Sequence, residues 1–302
     1  MLLQIYISTL QVCNSSNEKS KEELRDTVSQ SQSKEEKMGK VIGIVNQKGG
    51  VGKTTTAVNL AAALVRQQQK TLVVDFDPQA SLTTGILNPY PGGIEYTITE
   101  MMADVINRKS VQYDLSKKEG IDIIPAKIEL CSAEITLQTV MSRETVLQRV
   151  LSPIKDNYDY ILIDCAPSLG ILNINALVAA DSVIVPVTPD YYAPKGLEQL
   201  LDSIAGVREA LNPNLQIEGV LLTKVDKRAS FYKDVVNFVV NSISVCKVFD
   251  TQIPISVASA QAPATQKSIF EYSRNNSAAK AYSQLAGELT GKEVKKEQDF
   301  ER

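Results

Sequence analysis

Short apolar runs alternate with segments of helical periodicity between residues 39 and 292 of the chain. The apolar runs, many of them rich in β-branched residues, predict buried strands at 41–45, 72–76, 121–124, 160–164, 182–187, 217–223 and 245–253. Apolar residues at helical spacing predict helices around 58–64 and at 98–106, 129–140, 144–154, 171–180, 197–211, 235–243 and 278–289.

This alternation predicts an α/β fold, a single doubly wound and mostly parallel sheet with helices on both faces. The span is about 255 residues, enough to bury roughly 70–75% of the surface that the unfolded chain exposes. No repeat or linker interrupts it, so we predict one domain over residues 38–292.

The two ends of the chain differ from this domain in composition. Residues 1–37 open with an apolar stretch that is too short and too interrupted for a membrane span or a signal peptide, and they continue as a Ser-, Gln-, Glu- and Lys-rich segment. We expect a disordered extension, or else a native start at Met38 with translated upstream sequence before it. Residues 293–302 form a polar tail whose apolar residues are Val294 and Phe300.

A glycine-rich loop separates the first predicted strand from the first helical segment. Its three glycines are Gly49, Gly50 and Gly52. Glycines allow backbone N–H groups to turn toward an anion, and the following helix adds the positive end of its dipole. Strand, glycine loop and helix in this order predict a phosphate-binding loop. Lys53 would then reach the β- and γ-phosphates of a nucleotide, and the Thr54 hydroxyl would bind Mg²⁺.

The loop departs from the common G-x-x-x-x-G-K-[ST] pattern, because Gln47 occupies the first glycine position and Lys48 precedes the glycines. It resembles the deviant Walker A loop of the ParA/MinD group of P-loop NTPases. The resemblance implies that Lys48 contacts the nucleotide bound by the opposite subunit, so that two ATP molecules are sandwiched in a homodimer. The predicted nucleotide-binding residues are Lys48, Gly49, Gly50, Val51, Gly52, Lys53, Thr54 and Thr55.

Two carboxylates follow the second predicted strand in the segment Asp75-Phe76-Asp77-Pro78-Gln79. Ligands bind at the carboxyl ends of strands in such sheets, and side chains two apart share a face, so both carboxylates could look toward the loop. The segment resembles the family's D-x-D-P-Q motif, which implies that Asp77 orients the attacking water and touches the Mg²⁺ shell. The alternative is that Asp75 or Asp77 caps the turn before Pro78.

Another carboxylate, Asp164, ends the apolar strand predicted at 160–164. It matches the Walker B pattern, in which this position holds Mg²⁺ through water. Residues 165–168 resemble the family's D-x-x-P turn, which senses the γ-phosphate. Cys165 is interpreted as structural, because one cysteine does not make a metal cluster.

Two later segments resemble the family less closely. Residues 186–193, rich in proline and aromatics, resemble a segment near the subunit interface, although an ordinary strand-to-helix loop is the alternative. The family's adenine-binding I-P-R-N-V appears here as 253–257. Pro254 matches, but Ser256 replaces the asparagine and Ile255 the arginine. The resemblance implies adenine contacts for Pro254 and Ser256.

Composition limits the chemistry and the partners. The net charge is −3, and the two tails carry −1 each, with five Lys/Arg against six Asp/Glu in 1–37 and three against four in 293–302. Without a bulk basic field, DNA binding requires a local patch. The candidates are Lys224, Lys227, Arg228, Lys233, Lys247, Lys267, Arg274 and Lys280; the alternative is scattered, solvated charge.

The chain has no histidine, which excludes histidine-based catalysis. Its four cysteines show no C-x-x-C spacing, which fits a reducing cytosol.

The resemblance covers residues 39–292 and implies a ParA/Soj-type partition ATPase, weakly active alone, cytoplasmic and associated with the nucleoid. Its implied partners are ATP, Mg²⁺, a second copy of the chain, nonspecific DNA and a ParB-like protein that stimulates hydrolysis.

Three alternative functions would use the same phosphate-binding loop. A MinD-like membrane cycler would need more apolar residues in its tail. An iron–sulfur carrier would need paired cysteines. A positioning or regulatory ATPase would act on a protein cargo.

Overall fold

The computed structural model describes residues 39–87, 94–190, 193–226, 236 and 246–292. Within them, seven strands form one sheet: β1 Lys40–Ile44, β2 Thr71–Phe76, β3 Ser116–Lys118, β4 Ile121–Ile124, β5 Tyr160–Cys165, β6 Ser182–Val187 and β7 Gln216–Leu222. Their order in the sheet is β3-β4-β2-β5-β1-β6-β7. All neighbouring pairs are parallel except β3 with β4. The predicted mostly parallel sheet is therefore confirmed.

Helices cover both faces of this sheet. They are α1 Lys53–Arg66, α2 Ser81–Ile86, α3 Ile98–Ile106, α4 Leu130–Leu137, α5 Val146–Leu151, α6 Ile171–Ala179, α7 Ala193–Ala210, α8 Val257–Gln261, α9 Ile269–Tyr272 and α10 Ser277–Thr290. Short 3₁₀ segments lie at Arg143–Thr145, Ser152–Asn157 and Ala262–Thr265. Among the helices of the described residues, none combines the length and the apolar character that crossing a membrane would require.

Successive residues of the strands point into two different cores. In β5, Ile161 and Ile163 pack on the side covered by α3 to α7, whereas Leu162 packs on the side covered by α1, α2, α9 and α10. Both sides are apolar because both are buried, which is why the strands appear as continuous apolar runs rather than as alternating patterns. The predicted helices on both faces are confirmed.

The last predicted strand, 245–253, is wrong as a regular element. The described part of this segment runs beside β7, with isolated bridges from Val220 to Val248 and from Val225 to Pro254. Between them the backbone N–H groups of Asp250 and Thr251 donate to the Glu288 carboxylate of α10, at 3.1 and 2.8 Å. These donors are therefore withdrawn from the ladder, and the strand is interrupted.

Other differences from the predicted elements are small. The strand β3 and the short helices α2, α8 and α9 were not predicted, because each has six residues or fewer and lacks a clear period. The predicted helix at 235–243 falls outside the described residues, apart from residue 236. The closing helix α10 is capped by Asn276, which accepts from Ala278 N at 2.9 Å, and stops at Gly291 as predicted, where φ is 67°.

The close approach of backbone at the start of β1 leads to a stability prediction. A Cβ on Gly39 would lie 2.2 Å from the carbonyl oxygen of Lys155 and 2.6 Å from that of Tyr158. Gly39→Ala should therefore lower the free energy of unfolding by about 1–3 kcal/mol, measured by urea titration. The matched control is Gly206→Ala in α7, where a Cβ meets nothing within 4 Å; it should raise stability by about 0.4–1 kcal/mol. Equal stability of the two variants would contradict the prediction.

Candidate nucleotide site

The glycine loop after β1 lies at the carboxyl edge of the sheet and opens outward. Gly50 and Gly52 have φ values of 73° and 89°, in the left-handed region that favours glycine. A Cβ built on Gly49 or on Gly50 would meet nothing within 4 Å, so the space in front of this backbone is open. The N-terminus of α1 follows directly, with Gly52 as a cap that makes no side-chain hydrogen bond. The loop can therefore receive an anion on its backbone amides.

Contacts from distant strands hold this loop in place. The Thr223 hydroxyl, just past β7, donates to the carbonyl oxygen of Val51 at 2.7 Å. The Asn46 amide donates to Pro186 O of β6 at 2.7 Å and accepts from Lys48 N at 2.9 Å. Sequence reasoning missed Asn46 and Thr223, because no motif distinguishes them. These contacts fix the loop to the ends of β6 and β7.

Lys53, at the first position of α1, is buried, and its ammonium group donates to the carbonyl oxygen of Lys48 at 3.2 Å. Burial lowers its pKa, whereas the nearby negative groups, chiefly Asp164, raise it. An ammonium group at the inner end of the loop is placed to meet the charge of a phosphate chain.

Asp164 lies near the carboxyl end of β5, beside the ends of β1 and β2 and in register with Ile44 and Asp75. It is buried, and among the described residues neither carboxylate oxygen has a hydrogen-bond partner of normal geometry. Burial and the neighbouring Asp75 carboxylate raise the pKa of Asp164, while the approaching Thr54 hydroxyl lowers it. Burying a carboxylate without a hydrogen-bond partner costs free energy, so a cation bound beside Asp164 would stabilise it.

The side chains gathered here suit Mg²⁺. The Thr54 hydroxyl lies near Asp164, and the charge of Asp77 is felt by both Asp164 and Lys53. Hydroxyl and carboxylate oxygens are hard ligands, and Mg²⁺ in phosphate-transfer sites takes one or two carboxylates and completes its shell with water and phosphate oxygens. The three residues predicted as metal ligands are therefore brought to one region.

The two carboxylates after β2 have different surroundings. Asp75 is buried and accepts from both the backbone N–H and the hydroxyl of Thr83 in α2, at 2.8 and 2.7 Å. Burial raises the pKa of Asp75 to about 6. Asp77 is only partly buried, and its Oδ1 accepts from Gln79 N at 2.9 Å. Asp75 therefore anchors α2, whereas Asp77 caps the turn and lies at the edge of the site.

Comparisons with known proteins agree with this geometry. A family model described as an AAA domain matches residues 39–217. The chain is 45% identical over 256 residues to the sporulation initiation inhibitor protein Soj of Bacillus subtilis, covering 83% of this chain and 98% of the relative. The chain belongs to the ParA/Soj family of ATPases. It is also 41% identical to the chromosome partitioning protein ParA of Myxococcus xanthus, covering 86% of this chain and 90% of that protein.

A solved structure shares the fold of this ParA/Soj-family chain. The crystal structure of cobyrinic acid a,c-diamide synthase from Mycobacterium smegmatis, with bound ADP and magnesium, superposes with a TM-score of 0.71 and 33% sequence identity. The match covers 84% of this chain and 94% of that one. The predicted doubly wound P-loop architecture is thereby confirmed.

In this ParA/Soj-family ATPase, the ammonium group of Lys48 forms an ion pair with the Asp190 carboxylate of the same subunit. The Lys48 side chain is 50% exposed and the Asp190 side chain 35%. Asp190 lies in the predicted proline-and-aromatic segment after β6. The extra lysine is thus held at the rim of the site, outside the pocket formed by Lys53 and Asp164.

The turn after Asp164 is fastened by Asn173 of α6, which the sequence did not single out. The Asn173 amide donates to the carbonyl oxygens of Ala166, at 2.8 Å, and of Ser168. Cys165 is buried within β5, and burial raises the pKa of its thiol. Its structural interpretation agrees with these surroundings.

The contrast between Cys165 and Cys131 gives a simple labelling prediction. Cys131 is exposed. Iodoacetamide should alkylate Cys131 in the native protein, whereas Cys165 should react only after unfolding, because burial disfavours its thiolate. Peptide mass spectrometry measures both sites in one sample. Rapid native labelling of Cys165 would contradict the burial described here.

The predicted base-binding residues lie beside the last edge segment. Pro254 pairs with Val225. The Ser256 hydroxyl accepts from Ser259 N at 3.1 Å and donates to Asn276 Oδ1 at 3.0 Å. Ser256 therefore caps α8 in this structure, and the Ile255 side chain is 58% exposed. The adenine contacts of Pro254 and Ser256 stay a prediction.

The candidate DNA-binding residues are only partly described. Lys227, Arg228 and Lys233 lie outside the described residues. Of the others, Lys224, Lys247, Arg274 and Lys280 are exposed, and Lys267 is half-buried. The Lys247 ammonium group lies 5.2 Å from the centre of the Phe249 ring.

Proposed function

We propose that this chain is a partition ATPase that binds Mg-ATP, dimerises around two nucleotides and then binds DNA without sequence preference. The observation that carries the proposal is the buried Asp164 carboxylate, which accepts no hydrogen bond of normal geometry from the described residues and lies beside Thr54 and Lys53. The glycines of the loop in front of it leave open space. A triphosphate with its metal ion supplies the charges that this arrangement lacks.

The residues from Lys48 to Thr55 would hold the phosphates, with the backbone N–H groups of the loop and the Lys53 ammonium group as donors. Thr54, Asp77 and Asp164 would hold Mg²⁺, directly or through water. When bound, this ion neutralises the charge on the phosphate oxygens and on the leaving group. Pro254 and Ser256 would lie against the adenine.

Hydrolysis would proceed by attack of water on the γ-phosphate without a covalent intermediate. Asp77 would orient that water from the turn after β2. Lys53 of one subunit and Lys48 of the other would stabilise the charge that develops on the transferring group. Because half of these cations come from the second subunit, the monomer would hydrolyse ATP slowly.

The proposed partners follow from relatives that are named for chromosome partitioning. A ParB-like protein would stimulate hydrolysis, and dimerisation would double any basic patch and so tie DNA binding to ATP through avidity. Nonspecific binding of this kind has dissociation constants on the order of 10⁻⁴ to 10⁻⁶ M. We place such an ATPase in the cytoplasm, on the nucleoid.

The test uses the full chain with ATP or ADP, with Lys53→Ala as a variant defective in phosphate binding. Sedimentation velocity measures dimerisation, and gel retardation measures binding to duplex DNA of unrelated sequence. Dimerisation and DNA retardation that occur with ATP and not with ADP support the proposal. An ATP-dependent dimer that does not retard DNA would favour an ATPase that positions a protein cargo. Pelleting with liposomes that depends on ATP would favour a membrane cycler. A chain that stays monomeric with ATP would overturn the proposal.

A further inference from the structure

Lys48 has a fixed backbone and a long side chain that is half-exposed. Its N–H donates to Asn46 Oδ1 at 2.9 Å, and its carbonyl oxygen accepts from the Lys53 ammonium group at 3.2 Å. The four-carbon stem then leads to a half-exposed ammonium group. Any change in what Lys48 contacts must therefore come from rotation of this stem.

Asp190 is held firmly enough to act as a partner for that ammonium group. Its Oδ2 accepts from the Thr188 hydroxyl at 2.8 Å as well as from Lys48, and its backbone N–H donates to Thr188 O at 2.8 Å. The strand that leads into it, β6, is tied to the glycine loop through Asn46 and Pro186. The Asp190 carboxylate and the start of the glycine loop are thus both attached to β6.

We propose that Asp190 is a positioning residue that holds Lys48 on its own subunit before dimerisation and must release it for the in-trans contact. This inference rests on the proposed function, because it needs Lys48 to reach the nucleotide of a second copy. A Lys48 ammonium group paired with Asp190 is withheld from that contact, so the ion pair opposes dimerisation until a triphosphate competes for the cation.

The strength of such a pair suits a reversible restraint. An exposed ion pair favours the paired arrangement by only about 1.4- to 5-fold. About 40% to 15% of the subunits would then have Lys48 free, and the apparent affinity for dimerisation is multiplied by that fraction once for each subunit. Because a dimer needs two released lysines, removing the restraint should strengthen ATP-dependent dimerisation by about 6- to 40-fold.

The experiment compares the wild-type chain with Asp190→Asn, which keeps the shape of the side chain and removes its charge. Sedimentation equilibrium with a non-hydrolysable ATP analogue gives the dimerisation constant at low salt and at about 1 M salt, where exposed charges are screened. We expect tighter dimerisation of Asp190→Asn at low salt and a difference that shrinks at high salt. Asp190→Glu, which restores the charge, should return toward the wild type.

The matched control is Glu144→Gln, which makes the same change of charge at the exposed pair with Arg143, 3.0 Å apart. It should leave dimerisation unchanged. Equal or weaker dimerisation of Asp190→Asn, or a gain that does not depend on salt, would overturn the role of Asp190 while leaving the proposed function intact. A wild-type chain that does not dimerise with the analogue would overturn both.

Discussion

Lys48→Ala should reduce partner-stimulated ATP turnover on the order of 10³-fold or more, because a cation supplied in trans contributes about 10³–10⁵ in rate to phosphoryl transfer. The affinity of the monomer for ATP should stay close to that of the wild type. In the structure, the Lys48 ammonium group lies on Asp190 at the rim, whereas the buried Lys53 ammonium group lies near Asp164. In the proposed dimer, loss of Lys48 would therefore remove a charge that acts only on the nucleotide of the second subunit.

Lys117→Ala provides the control for this experiment. Lys117 is 74% exposed and forms an ion pair with Asp122 at 3.2 Å, on the edge strand β3 at the other side of the sheet from β6. Steady-state phosphate release and equilibrium nucleotide binding should both match the wild type for Lys117→Ala. Normal stimulated turnover in Lys48→Ala would show that Lys48 has no in-trans role.

The parts of the site that lie close together in the chain could be predicted from the sequence. The loop, Lys53 and Thr54 fall within a few residues between a strand and a helix, so their spacing in the sequence determines their relative positions. Asp164 was found because the end of an apolar strand marks the ligand-binding edge of a parallel sheet. In each case, local sequence and sheet direction decide the position.

The contacts that hold these parts in place could not be predicted in the same way. Asn46 with Pro186, Thr223 with Val51, and Lys48 with Asp190 join residues more than 130 positions apart. Such pairs depend on the strand order, which brings β6 beside β1, and no local pattern encodes that order. The last predicted strand failed for a related reason, because the donors of residues 250 and 251 are taken by a carboxylate on α10.

Asp75 and Asp77 differ in a way that a pair of variants can separate. Asp75 accepts two hydrogen bonds from Thr83 and one from Asp77 N, at 3.3 Å. Asparagine offers one oxygen instead of two, so Asp75→Asn should leave a buried donor without a partner and lower the free energy of unfolding by about 1–3 kcal/mol. Thermal unfolding would measure this cost.

Asp77→Ala should instead slow hydrolysis by about 10²–10⁴-fold while leaving ATP binding intact, because positioned proton acceptors contribute about that much to rate. The hydrogen bond that the Asp77 carboxylate accepts from Gln79 N lies within an exposed turn, so the loss of stability should be small. The ATP-bound dimer should then accumulate, which sedimentation with ATP would detect as a species that no longer decays. If Asp77→Ala lost ATP binding and thermal stability together, the carboxylate would act only as a turn cap, and the attacking water would need another residue to orient it.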